Sequence, residues 1–442
     1  MLDQLRHRID SGDALVGIVG LGYVGLPLAD AMHAGGMRVL GFDIDGAKID
    51  ALARGEAYLK HLGRDLPRGL AASERFGATA DFGRLREPDA ILVCLPTPLT
   101  DDRKPDLSYV VRAGADIGRS LRPGQLVVLE STSYPGTTRQ EFLGAIASRA
   151  PAGLACGRDF FVAYSPERED PGRSSHTTRT TPKLVGGLDP ASTALAAALY
   201  RRAVERVVEV SSAEVAEAAK LLENIFRAVN IALVNELKVS LEAMGIDIWE
   251  VIAAAATKPF GFMPFYPGPG LGGHCIPIDP FYMSWKAAQV GAPARFIELA
   301  GEINHAMPER VVRRTLDALA SRGTPPAQAS VLVLGLAYKP DIDDVRESPA
   351  LEIIELLRAE GCRVEYSDPH VDRTHPMRRY DLGMASVRLD AGAIAAFDAA
   401  VIVTNHRAFD YAMIAKHARL VVDTRDAMRA FAPAMGARLV RA

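Results

Sequence analysis

Short aliphatic and β-branched runs alternate with helix-periodic stretches from Leu15 to about Tyr200. The runs LVGIVG, RVLGFDID, AILVCLP, QLVVLES and FFVAYSPE are close to continuously apolar, as strands of a largely parallel, doubly covered sheet must be. A loop carrying polar residues follows each run, at the edge of an open sheet where ligands bind. From Ser211 to about Leu319 the texture changes. AEVAEAAKLLENIFRAVNIALVNELKVSLEAMG is apolar at a spacing of three and four and predicts one long helix, stopped by Gly245. TKPFGFMPFYPGPGLGGHCIPIDP then interrupts, too rich in Gly and Pro for regular structure. Helix resumes through Arg314, SRGTPPAQAS reads as a linker, and SVLVLGLAY, RVEYSDP, DAAVIVTN and LVVDTR predict a second sheet.

A chain of 442 residues is too long for one ordinary core. The pattern predicts an α/β protein with two Rossmann-like domains joined by a helical middle segment, with bounds 1–210, 211–320 and 321–442. A long, largely apolar helix needs another surface to cover it, so the middle segment predicts a homo-oligomer, a dimer or dimer-based assembly. With 48% hydrophobic and 24% charged residues and a net charge of -3, nothing calls for nucleic acid or an anionic membrane as partner. MLDQLRHRIDSGDALVGIVG carries charges up to Asp13 and then enters a strand, which is no signal peptide, and no apolar run is long enough to span a bilayer. Cys94, Cys156, Cys275 and Cys362 are scattered with no C-x-x-C pair, so neither metal nor disulfide is expected, and a reduced cytoplasmic setting fits.

The first strand runs into Gly20-Leu21-Gly22-Tyr23-Val24-Gly25, then a helical stretch, then RVLGFDID. The first glycine permits a tight turn, the second lets backbone approach a pyrophosphate, and the third lets helix and strand pack closely. The diphosphate would sit at the helix N-terminus. Asp43 ends the second strand, where the motif requires an acid for a ribose 2′-OH. No arginine directly follows it, so the expected cofactor is NAD rather than NADP. Tyr23, Val24, Thr97 and Glu130 complete the candidate cofactor contacts in this half of the chain. The later GLAYKPD lacks the glycine pattern, and Gly335 would serve a turn.

Cys275 stands apart from the other cysteines because Gly270, Gly272 and Gly273 precede it and would let a substrate approach the backbone. The alternative is an inert core cysteine, which is how Cys94 reads. Lys220 and Asn224 lie four apart on the long helix and project from one face, either as a stabiliser of a developing oxyanion or as plain surface groups. In YSPEREDPG, Glu167 is a candidate general base and Arg168 a candidate substrate clamp, against the alternative of a solvated charge cluster. Glu130-Ser131-Thr132 ends a strand where a nicotinamide would lie. Lys339 and Arg346 are candidates for holding phosphates.

GLGYVGLP, YSPEREDPG, KLLENIFRAVN, GPGLGGHCIPIDP and GLAYKPDIDDVRES, in that order, resemble the UDP-glucose/GDP-mannose dehydrogenase family over nearly the whole length. The resemblance implies an N-terminal NAD domain, a helical dimerisation segment and a C-terminal domain holding the UDP-sugar. It further implies Cys275 as nucleophile, Lys220 and Asn224 as oxyanion stabilisers, and Asp279 as the acid that with Lys220 and water removes the alcohol proton. Glu167 is implied as base for a hydrolytic step, Thr132 as a group placing water, and Lys339 and Arg346 as nucleotide contacts, Arg346 toward the cofactor. Pro340 stands where many relatives carry a second lysine. SPEREDPG and LGGHCIPIDPFY resemble the branch acting on 2-acetamido sugars, which implies oxidation of UDP-N-acetylglucosamine at C6 for surface polysaccharide. UDP-N-acetylmannosamine and UDP-glucose are the alternatives.

Overall fold

The computed structural model describes residues 1–59, 62–100, 102, 104–168, 177–273, 276–377 and 379–442. The chain divides into two compact units, Met1–Glu223 with Phe281–Pro293, and Asn224–Pro280 with Ala294–Ala442. Residues of the expected middle segment are thus shared between both.

The first unit is built on eight strands: β1 Leu15–Val19, β2 Arg38–Phe42, β3 Phe76–Thr79, β4 Ala90–Val93, β5 Leu126–Leu129, β6 Phe161–Tyr164, β7 Lys183–Gly187 and β8 Val207–Glu209. Their order is β3-β2-β1-β4-β5-β6-β7-β8. The central strands β4, β5 and β6 are buried along their whole length. Their side chains alternate between two cores, Leu92 and Val128 joining Val16 and Ile18 on one face, Ile91, Val93, Val127 and Leu129 joining Phe42 and Val162 on the other. Burying each such side chain stabilises the sheet by roughly 1.5–3 kcal/mol, which is why the runs read as continuously apolar.

All neighbours are parallel except β6 and β7. There Ala163 pairs with Gly187 and Tyr164 with Gly186, so β7 begins beyond the carboxyl end of β6. The reversal carries Lys183 to the sheet edge where polar loops leave the parallel strands.

The second unit holds β9 Ser330–Leu334, β10 Arg363–Ser367, β11 Ala399–Ile402, β12 Val421–Asp423 and β13 Leu439–Arg441, all parallel in the order β10-β9-β11-β12-β13. The long helix runs continuously from Ala213 to Ala243. It stops before Gly245, whose φ of 74° suits a residue without Cβ. Near its start, buried Glu217 accepts from Gly136 N at 2.6 Å, Thr138 N at 2.8 Å and Thr138 Oγ1 at 2.7 Å, fastening the helix to the loop after β5. Further along, Asn235 donates to Asn304 at 2.9 Å and Glu242 pairs with Arg310 and Arg314. Among the described residues no helix is long and apolar enough to cross a membrane.

Candidate functional site

In the first unit the glycine turn is explained atom by atom. Gly20 has φ 91°, and a Cβ on it would lie 2.5 Å from Cys94 O. A Cβ on Gly25 would lie 1.8 Å from Gly20 O, whereas one on Gly22 would meet nothing within 4 Å. Gly22 therefore leaves room for a ligand, and the other two serve the turn and the helix approach. The helix Gly25–Ala34 starts at Val24 with no side-chain cap, so its first N–H groups have no side chain of their own to satisfy them. Together with the dipole this suits a diphosphate, and the residues fit a dinucleotide.

Asp43 is buried at the end of β2. Its Oδ2 accepts from Leu21 N at 2.9 Å and from Lys48 Nζ at 3.1 Å, and its Oδ1 from Asp45 N at 3.0 Å. The carboxylate is held in place with capacity left for a hydroxyl donor. Tyr58, which the sequence did not single out, donates to Leu21 O at 2.6 Å beside it. Thr97 is buried and its carbonyl accepts from Tyr282 Oη at 2.6 Å.

A buried acid–base cluster lies at the same sheet edge. Lys183 Nζ donates to Glu130 Oε2 at 2.6 Å and to Glu167 Oε2 at 3.1 Å. The Tyr200 hydroxyl donates to Glu130 Oε1. Burial pushes the Lys183 ammonium down, and the two carboxylates more than reverse this, so its pKa is raised. Burial likewise pushes up the Cys94 thiol, with Glu130 adding to it, so Cys94 stays a neutral thiol next to the cluster. Glu130 was expected to contact the cofactor, but both of its oxygens are directed inward to Lys183 and Tyr200. Arg168 was expected to clamp substrate, but its guanidinium bonds Glu223 at 2.7 Å and Pro182 O at 2.7 Å. Its backbone N–H donates to Glu167 Oε1 at 2.6 Å.

Thr132 is half-buried in the loop that Glu217 fastens to the long helix. Lys220 follows on that helix, 8% exposed, and among the described residues no hydrogen bond or ion pair engages its ammonium. A buried, unpaired cation is costly to maintain. Such a group is suited to meet an incoming negative charge.

In the second unit Asn224 Nδ2 donates to Asp279 Oδ2 at 2.6 Å, and both side chains are buried. The glycine-rich loop packs against its own protein. Asn235 Oδ1 accepts from Gly268 N at 2.9 Å, and a Cβ on Gly268 would lie 2.4 Å from Arg425 Nη1. Gly270 has φ 128° and Gly273 φ 87°, and Cβ atoms on Gly272 and Gly273 would lie 2.6 and 2.9 Å from the Tyr338 side chain. These glycines were expected to admit substrate; in the structure what approaches them is Tyr338, Pro308 and Pro349. Cys275 and His274 lie outside the described residues.

Lys339 Nζ sits 5.7 Å from the Tyr338 ring centroid. Arg346 forks onto Asp344 at 2.6–3.0 Å, and its carbonyl accepts from Gly273 N at 3.0 Å. Arg425 is a cation the sequence reading missed. It is half-buried, Nε donates to Val403 O at 2.9 Å, and desolvation pushes its pKa down to about 10, so it stays charged at neutral pH. Asp341, His370 and His406 offer atoms within 4.8 Å of one another. His406 Nδ1, however, accepts from Asp341 N at 3.0 Å and its Nε2 meets Asp368 Oδ2 at 3.0 Å, so the ring has no spare lone pair for an ion.

Three models of the UDP-glucose/GDP-mannose dehydrogenase family match in sequence: its NAD binding domain at residues 14–204, its central domain at 214–306 and its UDP binding domain at 332–430. A UDP-N-acetyl-D-glucosamine 6-dehydrogenase of Pseudomonas aeruginosa is 36% identical, over 90% of this chain and 92% of its own length. A UDP-N-acetyl-D-mannosamine dehydrogenase of Salmonella typhi is also 36% identical, over 94% and 99%. The solved structure of a UDP-D-ManNAc dehydrogenase from Pyrococcus horikoshii superposes with a TM-score of 0.85 at 32% identity, covering 97% of this chain and 98% of that one.

Proposed function

As the chain belongs to the UDP-glucose/GDP-mannose dehydrogenase family and is an NAD-dependent nucleotide-sugar dehydrogenase, we propose that it oxidises the C6 alcohol of UDP-N-acetylglucosamine to a carboxylate. NAD, when bound, accepts a hydride in each of two successive oxidations. Gly20, Gly22 and Gly25 would hold its diphosphate, with Tyr23, Val24, Thr97 and Arg346 as further contacts, and Asp43 would take a ribose hydroxyl. Lys220 and Asp279, with a water, remove the alcohol proton. The Cys275 thiolate adds to the resulting aldehyde, which keeps it bound as a thiohemiacetal while Lys220 and Asn224 stabilise the oxygen. The second oxidation leaves a thioester. Glu167 takes the proton of a water placed by Thr132, the C–S bond breaks, and the uronate is released. Lys339 and the half-buried Arg425 would neutralise the UDP phosphates, with Gly270, Gly272 and Gly273 shaping the loop beside them.

The observation that carries this reading is the Lys220 ammonium, 8% exposed and unpaired among the described residues. An enzyme that must stabilise a developing alkoxide gains from such a group, and a structural lysine does not. The long helix also supports a homo-oligomer. Val215, Leu222, Phe226, Leu233 and Leu237 are 41–65% exposed at spacings of seven and four, an apolar stripe along one face that a second copy would cover. The product would be a building block for surface polysaccharide.

Steady-state kinetics with UDP-N-acetylglucosamine, UDP-N-acetylmannosamine, UDP-N-acetylgalactosamine and UDP-glucose side by side test the substrate. The highest kcat/KM is expected for UDP-N-acetylglucosamine. The equally similar Salmonella typhi relative favours UDP-N-acetylmannosamine as the second reading. A preference for UDP-glucose would overturn both.

A further inference from the structure

Phe281–Pro293 belongs to the first unit, although the chain on either side of it belongs to the second. The helix Asp279–Gln289 runs into this segment, and DPFYMSWKAAQ puts Asp279, Tyr282 and Lys286 on one face at a spacing of three and four. No role given so far involves the residues after Asp279. Yet Tyr282 is fully buried, and its hydroxyl donates to Thr97 O at 2.6 Å, 185 residues away in sequence, and to Pro98 O at 3.2 Å. Its ring lies 6.5 Å from that of Tyr134, which also meets the Trp285 ring at 5.0 Å and the Lys286 ammonium at 4.9 Å.

The loop that receives the hydroxyl is short of backbone donors. It leaves β4 through Leu95-Pro96-Thr97-Pro98, and the two prolines have no N–H to offer. Thr97 is buried, so its carbonyl needs a partner from elsewhere in the fold. A phenylalanine would fill the space of the Tyr282 ring equally well. The two carbonyls explain why a hydroxyl is there.

We propose that Tyr282 is a positioning residue for hydride transfer, its hydroxyl tying the Thr97–Pro98 loop to the helix that opens with Asp279. This rests on Thr97 being a cofactor contact and on Asp279 helping to remove the alcohol proton. In the first oxidation the C6–H bond breaks and its hydrogen leaves with the electron pair to NAD. The hydroxyl proton goes to the water that Lys220 and Asp279 hold. Both transfers start from one carbon–oxygen unit, so the acid and the cofactor loop must be held in register. A hydroxyl one helical turn from the acid does this through a rigid element.

The test is single-turnover NADH formation from the better of the two acetamido substrates, with and without deuterium at C6. Asp279→Asn comes first and should slow the first oxidation about a hundredfold. If NADH forms at the wild-type rate there, the role of Asp279 is wrong whatever Tyr282 does. Tyr282→Phe should then form NADH roughly tenfold more slowly, with a larger deuterium isotope effect than wild type. Calorimetric affinities for NAD and for the UDP-sugar should stay within about threefold of wild type. In the protein without ligands, the Asp106 amide, which donates to Pro98 O at 2.9 Å, should exchange its hydrogen about tenfold faster, since that loop has lost its anchor.

A merely structural tyrosine would lower Tm and leave the isotope effect alone. Wild-type NADH formation and isotope effect in Tyr282→Phe would therefore overturn the inference. So would a loss of NAD affinity with the wild-type rate recovered at saturation, which would make the bond one of binding alone. If Tyr282→Phe does not fold, Pro98→Ala decides. It loosens the same loop without touching the helix and should show the same slowing and larger isotope effect; a wild-type rate there would overturn the inference.

Discussion

Each unit opens with the same device, a parallel strand, a glycine turn and an acid at the end of the next strand, yet the two are finished differently. Gly20 and Gly335 have φ of 91° and 87°, and a Cβ on either would lie 2.5 or 2.4 Å from a carbonyl of a neighbouring strand's end. Asp43 and Asp368 both accept backbone N–H groups from the residues after the turn. In the first unit a helix follows at once, uncapped by any side chain, and among the described residues Asp43 accepts from Leu21, Asp45 and Lys48. In the second, an irregular segment follows, with Asp341 and Glu347 at φ 63° and 49°. The next helix begins at Pro349 and is capped by Ser348. Asp368 there accepts from Leu336, Ala337, His370, Val371 and His406, which leaves it saturated. A cavity of about 480 Å³ opens beside it, but Asp368, Asp372 and Asp410 line it together with Arg388. The same topology therefore offers one end ready for a diphosphate and one in which the acid has become a structural pin. In the second unit the proposed reading gives anion recognition to cations, Lys339 and Arg425, rather than to a helix end.

Removing the saturated acid should have the largest effect on stability. Asp368→Ala strands several buried donors and should cost about 3–5 kcal/mol in denaturant unfolding, while NAD affinity measured by calorimetry stays within twofold of wild type. An equal loss of NAD affinity would mean the pin has a ligand role. Gly25→Ala should do the converse. Its Cβ must displace the Gly20 carbonyl, so NAD affinity should fall about a hundredfold, on the order of 3 kcal/mol, by the same calorimetry. Asp43→Asn is milder, since the amide can still accept from Leu21; about tenfold weaker NAD binding with little change in Tm is expected.

The smallest effect is in pH. Hydrogen bonds and His406 outweigh burial to hold Asp368 below its ordinary range, so its contribution to stability is present above the unfolded value of 3.8 and is lost as pH falls. Burial instead raises Glu217 to about 7 from 4.5, so its contribution is present below 4.5 and is lost as pH rises through about 7. Glu217→Gln should flatten that decline, by on the order of 1 kcal/mol, because the donors Gly136 N, Thr138 N and Thr138 Oγ1 resist the neutral form. An unchanged slope in urea titrations at several pH values would show that those donors already offset the burial.

The parts legible in the sequence were those with local signatures. β1, β2, β4, β5, β6 and β9 to β12 coincide with the aliphatic runs, and the long helix with its three-and-four spacing. β3, β7, β8 and β13 escaped because FGAT, KLVGG, VVE and LVR are too short or too glycine-rich to show a period. Missing β7 hid Lys183, whose partner Glu130 lies 53 residues away in sequence and meets it only through an antiparallel reversal. Tyr200 meets Glu130 over 70 residues for the same reason. Nothing local in the sequence revealed Glu223 as the partner of Arg168, or that Tyr338 packs against the loop glycines from a distant segment. The glycine turn and the place of Asp43 at the end of β2 were readable because both depend on spacing within one βαβ unit.

The central claim is that one thiol carries the sugar through a second oxidation. Counting NADH released per UDP-sugar consumed, in the wild type and in Cys275→Ser, tests it most directly. The expected result is two NADH and one uronate per sugar for the wild type, with the variant blocked after the first oxidation and holding unconverted aldehyde. Two NADH per sugar at the wild-type rate from Cys275→Ser would contradict it.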